Sequence, residues 1–282
     1  YAMNKVSFII SSIGKSEKMD ELVDYLIANF KTEEIIIIDN SIDKNLESKF
    51  KKRKKINYYY EQTSGLSNAR NRGAKEAKNP ILIFLDDDII PTDFFKLAVN
   101  RYKKNDGILG IVGGRIIVKN ISKSLPKKYH YMTGEKCFGD KIKILSKRQN
   151  LGGCCLLIEK KLFNQIGGFN CEYGHKNNII GANEDVLLQQ KIRKNKFKVI
   201  YDPQFEVIHF WNVDYEGIKE RLIVQGKNDY MLDKNNNKLE FIMKNIKYRL
   251  CIMLKVNIKN QTNIYDIERY KAYVYNSRRK KN

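Results

Sequence analysis

At 282 residues with a formal charge of +21, 42% hydrophobic and 11% aromatic residues, the chain has enough apolar material for a large folded core and falls outside the disordered class. No stretch approaches the roughly 20 apolar residues of a membrane span, and no basic segment near the first residues leads into an apolar one, so a cytoplasmic protein is expected. Five cysteines (Cys137, Cys154, Cys155, Cys171 and Cys251) contain no C-x-x-C pair, which argues against a zinc module and against a disulfide framework.

Three sources account for the positive charge. The first is a usage bias: the chain is rich in Lys, Asn and Ile and has four prolines. The others are attraction to an anionic membrane surface and to anionic small substrates, with nucleic acid behind both. Basic runs such as "KKRKK" (51–55) and "RRKK" (278–281) read as solvated faces or tails.

In chain order, "VSFII" (6–10), "EIIIID" (34–39), "INYYYE" (56–61) and "ILIFLD" (81–86) are short β-branched or aromatic runs of strand length. Between the first two, "KMDELVDYLIANF" spaces Met19, Leu22, Val23, Leu26, Ile27 and Phe30 along one helical face. A second amphipathic segment, "LSNARNRGAKEAK" (66–78), precedes the fourth strand. Nearly continuous apolar strands alternating with helices predict an α/β fold with a mainly parallel, Rossmann-like sheet covered on both faces. In such sheets ligands bind at the carboxyl ends of the strands.

That rule selects the acids. Asp39 ends one predicted strand and Asp86 another, so both project from one rim, where the first strand also runs into the polar "SSIGKSE" containing Ser11. Asp86, Asp87 and Asp88 follow one another in a strongly basic chain. Two unit charges about 4 Å apart repel by about 1 kcal/mol in water and about 4 kcal/mol at an effective dielectric near 20. Such a cluster is tolerable if the side chains diverge into solvent or if a cation sits among them. In extended chain Asp86 and Asp88 share a direction while Asp87 points elsewhere. Hard oxygen ligands of this kind suit Mg²⁺ or Mn²⁺.

The ordered set "VSFIISSIGK", "EIIIIDNSID", "GLSNARNRGAKEAKNPILIFLDDDIIP", "GGCCLLIEKKLFNQIGGFN" and "NEDVLLQQKIRKNKFKVIYDPQFEVIHF" resembles the family 2 nucleotide-sugar-dependent glycosyltransferases of the GT-A fold, in the bacterial surface-polysaccharide group. The resemblance spans roughly residues 5–212. It implies a catalytic domain over 3–212, with a nucleotide-binding half (3–105) and an acceptor-binding half (106–212), followed by a helical basic extension (213–282).

Roles follow from the resemblance. Asp39 contacts the nucleotide base, although the usual "DDGS" reads "DNSI" here, with Asn40 in place of the second acid. Asp86 faces the ribose, Asp88 binds the metal bridging the donor diphosphate, and Asp87 turns away or braces the loop. Arg70, in a stretch like the family's G-x-x-x-A-R-N-x-G, either steadies an acid of the D-x-D loop or faces the diphosphate. Ser11 and Gly153 belong to the donor site, the latter with Gly152 near the donor sugar and acceptor. In the E-D pair, Glu184 lies on the donor side and Asp185 is the general base. His209 completes the metal or diphosphate site, and Trp211 beside it stacks on a sugar ring or packs. Asn183 is the expected N-cap of the helix carrying the E-D pair.

The resemblance therefore implies an inverting, metal-dependent transfer from a nucleotide-diphosphate sugar to a hydroxyl of a glycan or lipid-linked acceptor. The absence of a Q-x-x-R-W motif points to single addition. "LEFIMKNIKYRLCIMLK" (239–255) is basic and amphipathic, so it either packs on the core or another subunit, or lies on the cytosolic face of the inner membrane. A homo-oligomer is compatible with the chain, and no nucleic-acid partner is expected because no recognised RNA-binding or zinc module occurs. Two alternatives are a sugar-phosphate nucleotidyltransferase, for which "SSIGKSEK" is a poor phosphate loop, and a non-catalytic sugar- or nucleic-acid-binding protein.

Overall fold

The computed structural model describes residues 4–104, 110–121, 136–174 and 183–213, together with 223, 224, 226, 227, 243 and 270–273. By compactness the chain divides into Tyr1–Asn177 with Glu184–Asn212, and Asn178–Asn183 with Val213–Asn282.

The first unit is built on a nine-stranded sheet in the order β3-β2-β1-β4-β8-β6-β9-β5, with β7 also pairing β9. Its parallel half comprises β1 (Val6–Ser12), β2 (Glu34–Asp39), β3 (Ile56–Tyr60) and β4 (Ile81–Asp86). All seven residues of β1 are buried, as both-face coverage requires. Beyond β4 the pairing turns antiparallel, through β8 (Cys155–Glu159) and β6 (Gly110–Ile121). The long β9 (Lys198–Val213) then pairs antiparallel with both β5 (Ile89–Pro91) and β7 (Lys143–Ile144). The parallel half is what the apolar runs of the first hundred residues predict; the antiparallel half completes the sheet.

Helices cover both faces because alternate strand residues point to opposite sides. Phe8, Ile10, Ile35, Ile37, Ile83 and Leu85 pack in one layer with α1 (Met19–Asn29), α2 (Glu47–Phe50) and α4 (Asp93–Lys104). Ile9, Ile36, Ile38, Leu82 and Phe84 pack in the other with α3 (Leu66–Glu76), α5 (Lys160–Gln165) and α6 (Glu184–Lys194). Gly73 lets α3 press onto the sheet, since a Cβ there would lie 2.2 Å from Cγ2 of Ile9. That close approach brings Arg70, one turn earlier, over the rim.

The rim itself is set by register. Ser11 lies opposite Asp86 and Ser12 opposite Asp39, so the ends of β1, β2 and β4 are level.

In the second unit the described residues 223, 224, 226, 227, 243 and 270–273 are helical. The amphipathic segment 239–255, apart from residue 243, lies outside the described residues, as does the side chain of Trp211. Among the described residues no helix is long and apolar enough to cross a membrane.

Candidate active site

Asp86 closes β4, and the chain then turns through Asp87 and Asp88 into β5. The β5–β9 pairing sets Ile89 opposite His209, and the amide of Phe210 donates to the carbonyl of Asp88 at 2.8 Å. As a result Asp86, Asp88 and His209 each offer a ligand atom within 4.8 Å of the others. His209 Nε2 stands 3.1 Å from Oδ1 of Asp88.

Asp87 takes a different direction. Its carboxylate accepts from the Ser12 hydroxyl, and its carbonyl accepts from Oγ of Ser16 at 2.7 Å. Burial, opposed by the Ser12 bond and reinforced by the charges of Asp88 and Asp86, pushes its pKa up to about 7. It therefore braces the loop between β1 and α1 against the D-x-D turn. Asp86 is also pushed above the usual carboxylate range by burial, with Arg70 pulling down and Asp88 pushing up.

Arg70 is 1% exposed. Its guanidinium donates to Asp86 Oδ1 at 2.7 Å, to Glu184 Oε1 at 3.0 Å and to the carbonyl of Gly153 at 3.0 Å, and its Cζ lies 5.2 Å from the Phe169 ring centroid. Burial opposes the charged form, but Asp86 and Glu184 outweigh it and hold the group protonated. The guanidinium is thus bonded to an acid of the D-x-D turn. Glu184, 6% exposed, is turned toward this guanidinium.

Asp185 follows Glu184 in the first turn of α6. Asn183 has φ of 74°, a left-handed conformation that asparagine tolerates, so the chain enters the helix by a sharp backbone turn and not through the extended conformation of an N-cap. One Asp185 oxygen accepts from the amide of Val186 at 2.8 Å. The other borders Gly153, where a Cβ would lie 3.1 Å from Oδ2. Burial first, then the charge of Glu184, raise the Asp185 pKa to about 7, with Arg70 pulling the other way. A carboxylate of this pKa is half-ionised near neutrality, which suits proton abstraction.

At the β2 end of the rim, Asp39 is fully buried. Its Oδ1 accepts from the Ser41 amide at 2.9 Å, and its Oδ2 from the Leu46 amide at 3.1 Å and the Tyr58 hydroxyl at 2.8 Å. It thus shapes the loop after β2. Asn40 staples the next loop, donating to the carbonyls of Glu61 at 2.7 Å and Thr63 at 3.0 Å and accepting from Gly65 at 2.8 Å. An aspartate at this position could accept from Gly65 but could not donate. Asn40→Asp is therefore expected to cost about 1–3 kcal/mol, read as a lowered urea midpoint; an unchanged midpoint would refute the staple. Ser11 is 6% exposed, and its hydroxyl has no hydrogen-bond partner among the described residues.

Gln189, which no motif of the sequence singles out, is fully buried in α6 next to this site. Its signal was weak: a glutamine on the inward face of a helix otherwise lined by Leu188 and Ile192.

The donor set fits a hard divalent cation. Two carboxylates and an imidazole converge, and the repulsion from Asp88 that adds to the effect of burial on Asp86 is the kind a cation relieves.

A doubly covered sheet with an acidic cluster at the strand ends and a second carboxylate across the rim defines a group-transfer enzyme of the GT-A type. The model of the family described as Glycosyl transferase family 2 matches residues 7–167, and the chain belongs to that family. It is similar to the poly-beta-1,6-N-acetyl-D-glucosamine synthase of Staphylococcus epidermidis, 25% identical over 207 residues, covering 71% of this chain and 48% of the relative. The corresponding synthase of Staphylococcus aureus (strain COL) is 23% identical over 208 residues, covering 70% and 48%. The chain thus spans about half the length of the curated relatives it matches.

Among solved structures, GalNAc-T7 with UDP, GalNAc and Mn²⁺ superposes with a TM-score of 0.56 at 14% identity, covering 95% of this chain and 54% of that one. The mannosyltransferase PcManGT from Pyrobaculum calidifontis, in complex with GDP-Man and Mn²⁺, gives 0.56 at 15% identity, covering 97% and 70%. Both likenesses establish the GT-A fold.

Proposed function

We propose that the chain transfers a sugar from a nucleotide-diphosphate donor to a hydroxyl of a glycan or lipid-linked glycan, with inversion, in surface-polysaccharide biosynthesis. The observation that carries this reading is the pairing of two carboxylate sites across one rim. Asp86, Asp88 and His209 form one, Asp185 the other, and Arg70 bonds to Asp86 and to Glu184 beside Asp185.

Asp88 and His209, with Asp86, are the residues that would hold Mg²⁺ or Mn²⁺. Bound there, such an ion supplies positive charge opposite the departing nucleoside diphosphate. Asp39 and Ser11 lie on the base and ribose side. Asp185 removes the proton of the acceptor hydroxyl as its oxygen forms a bond to the anomeric carbon; the bond from that carbon to the diphosphate breaks, and the proton stays on the Asp185 carboxyl. A single displacement from the face opposite the leaving group inverts the configuration. Gly153 leaves room for Asp185 beside the loop that Arg70 holds.

The relatives' names describe a polymer. The missing Q-x-x-R-W motif favours single addition for this chain. Family membership speaks against the nucleotidyltransferase and the purely binding alternatives. Peripheral contact with the cytosolic face of an inner membrane through 239–282, and self-association, complete the proposal; deletion of 239–282 with undiminished binding to anionic liposomes would remove the first.

The test is transfer from a panel of nucleotide sugars, with product stereochemistry read by NMR. Activity should disappear in EDTA and return with Mn²⁺ or Mg²⁺, and Asp88→Ala should lower divalent-ion affinity measured by calorimetry. Full turnover in EDTA would sink the metal assignment, and retained anomeric configuration would sink the single displacement.

A further inference from the structure

Gln189 sits one helical turn after Asp185 and is fully buried. Its Oε1 accepts from the amide of Leu151 at 2.8 Å, and its Nε2 donates to the carbonyl of Leu151 at 3.2 Å and to that of Asp185 at 3.1 Å. The carboxamide thus satisfies both backbone groups of Leu151 as a neighbouring strand would, and ties them to the turn bearing the base. Leu151 is 1% exposed, so neither group has water as a substitute. Directly after it come Gly152 and Gly153. Gly153 lies against Asp185, and its carbonyl accepts from Arg70. The carbonyl of the next residue, Cys154, accepts from the amide of Asp86 at 2.9 Å.

We propose that Gln189 is a positioning residue for Asp185, its carboxamide clamping the 151–153 segment across the base so that one carboxylate oxygen is walled by Gly153. This inference rests on Asp185 being the base. Clamp and base are connected through backbone alone, which explains why the position needs a group that both donates and accepts. Leucine would fill the volume and make none of these bonds. Glutamate would keep the bond from the Leu151 amide, lose the other two, and set a negative charge against two carbonyls.

The charged groups acting on Asp185 are Glu184, Arg70 and Lys136. With Gly153 released, water reaches the carboxylate and the desolvation that raises its pKa weakens. In the wild-type full chain, kcat should fall on the acid side with a limb near 7, and Asp185→Asn should abolish that limb. Gln189→Leu should move the limb down by about one pH unit and lower kcat about 10–100-fold, with donor KM little changed. Gln189→Glu should move the limb up through the added charge.

The outcomes separate the two claims. A wild-type profile without an acid limb, or one surviving in Asp185→Asn, overturns the base assignment. A limb that Asp185→Asn abolishes but Gln189→Leu does not move down, whatever the change in melting temperature, overturns the clamp alone. Should Gln189→Leu fail to fold, Gln189→Met, which fills the volume without these bonds and adds no charge, decides the matter by the same downward shift.

Discussion

Asp185→Asn is expected to lower turnover by about 10²–10⁴-fold while leaving donor binding near the wild-type value, measured by steady-state transfer and by calorimetric titration with the donor. Asparagine preserves shape but accepts no proton, so the loss falls on the chemical step. The same substitution should not weaken the fold. The pKa of Asp185 in the folded protein is about 7, above the ordinary 3.8, so the folded state holds this proton more tightly than the unfolded chain does. The stability it contributes is fully present below about 4 and is lost as pH rises through about 7. A neutral amide escapes that loss, and the variant should melt higher than wild type at pH 8. Wild-type turnover in Asp185→Asn would remove the base assignment; a lower melting point at pH 8 would show that the carboxylate makes stabilising bonds beyond the one from Val186.

The second large effect is expected at Arg70. Removing its guanidinium in Arg70→Ala leaves Asp86 and Glu184 without the cation between them, and frees the Gly153 carbonyl. Truncating one partner of a buried ion pair costs about 3–5 kcal/mol, read from urea unfolding, because the remaining charges stay desolvated. Arg70→Lys should recover only part of this, since a single ammonium cannot match a planar fork that donates to three acceptors. Activity should fall with either change, as both carboxylate sites lose a common anchor. A loss below about 1 kcal/mol in Arg70→Ala would show that water or a neighbouring cation takes over the role.

Much of this was legible in the linear chain. The runs "VSFII", "EIIIID" and "ILIFLD" are buried on both sides, and a sheet covered on both faces needs such strands whatever its details. The placement of Asp39 and Asp86 on one rim followed from strand ends alone, and the E-D pair was readable from the helix behind it. The division of labour in "DDD" was readable too, since alternation separates Asp87 from its neighbours. The antiparallel half of the sheet was less so: β6 and β9 meet through Gly114, where a Cβ would lie 1.6 Å from the Phe205 carbonyl oxygen, and nothing local in "IVGGRII" names that partner. Gln189 was illegible for the same reason, its partner lying 38 residues away at Leu151.

Local order of apolar and polar residues therefore determined the strands, the helices and the acids at the rim, because backbone alternation and strand direction are short-range properties. Tertiary structure alone brought His209 to Asp86 and Asp88 and the Ser12 hydroxyl to Asp87. It also set the Arg70 fork between Asp86 and Glu184, and raised the pKa of Asp185 to about 7. Those outcomes depend on burial and on charges brought within a few ångströms by distant segments, and desolvation acts only once the chain has closed around the group.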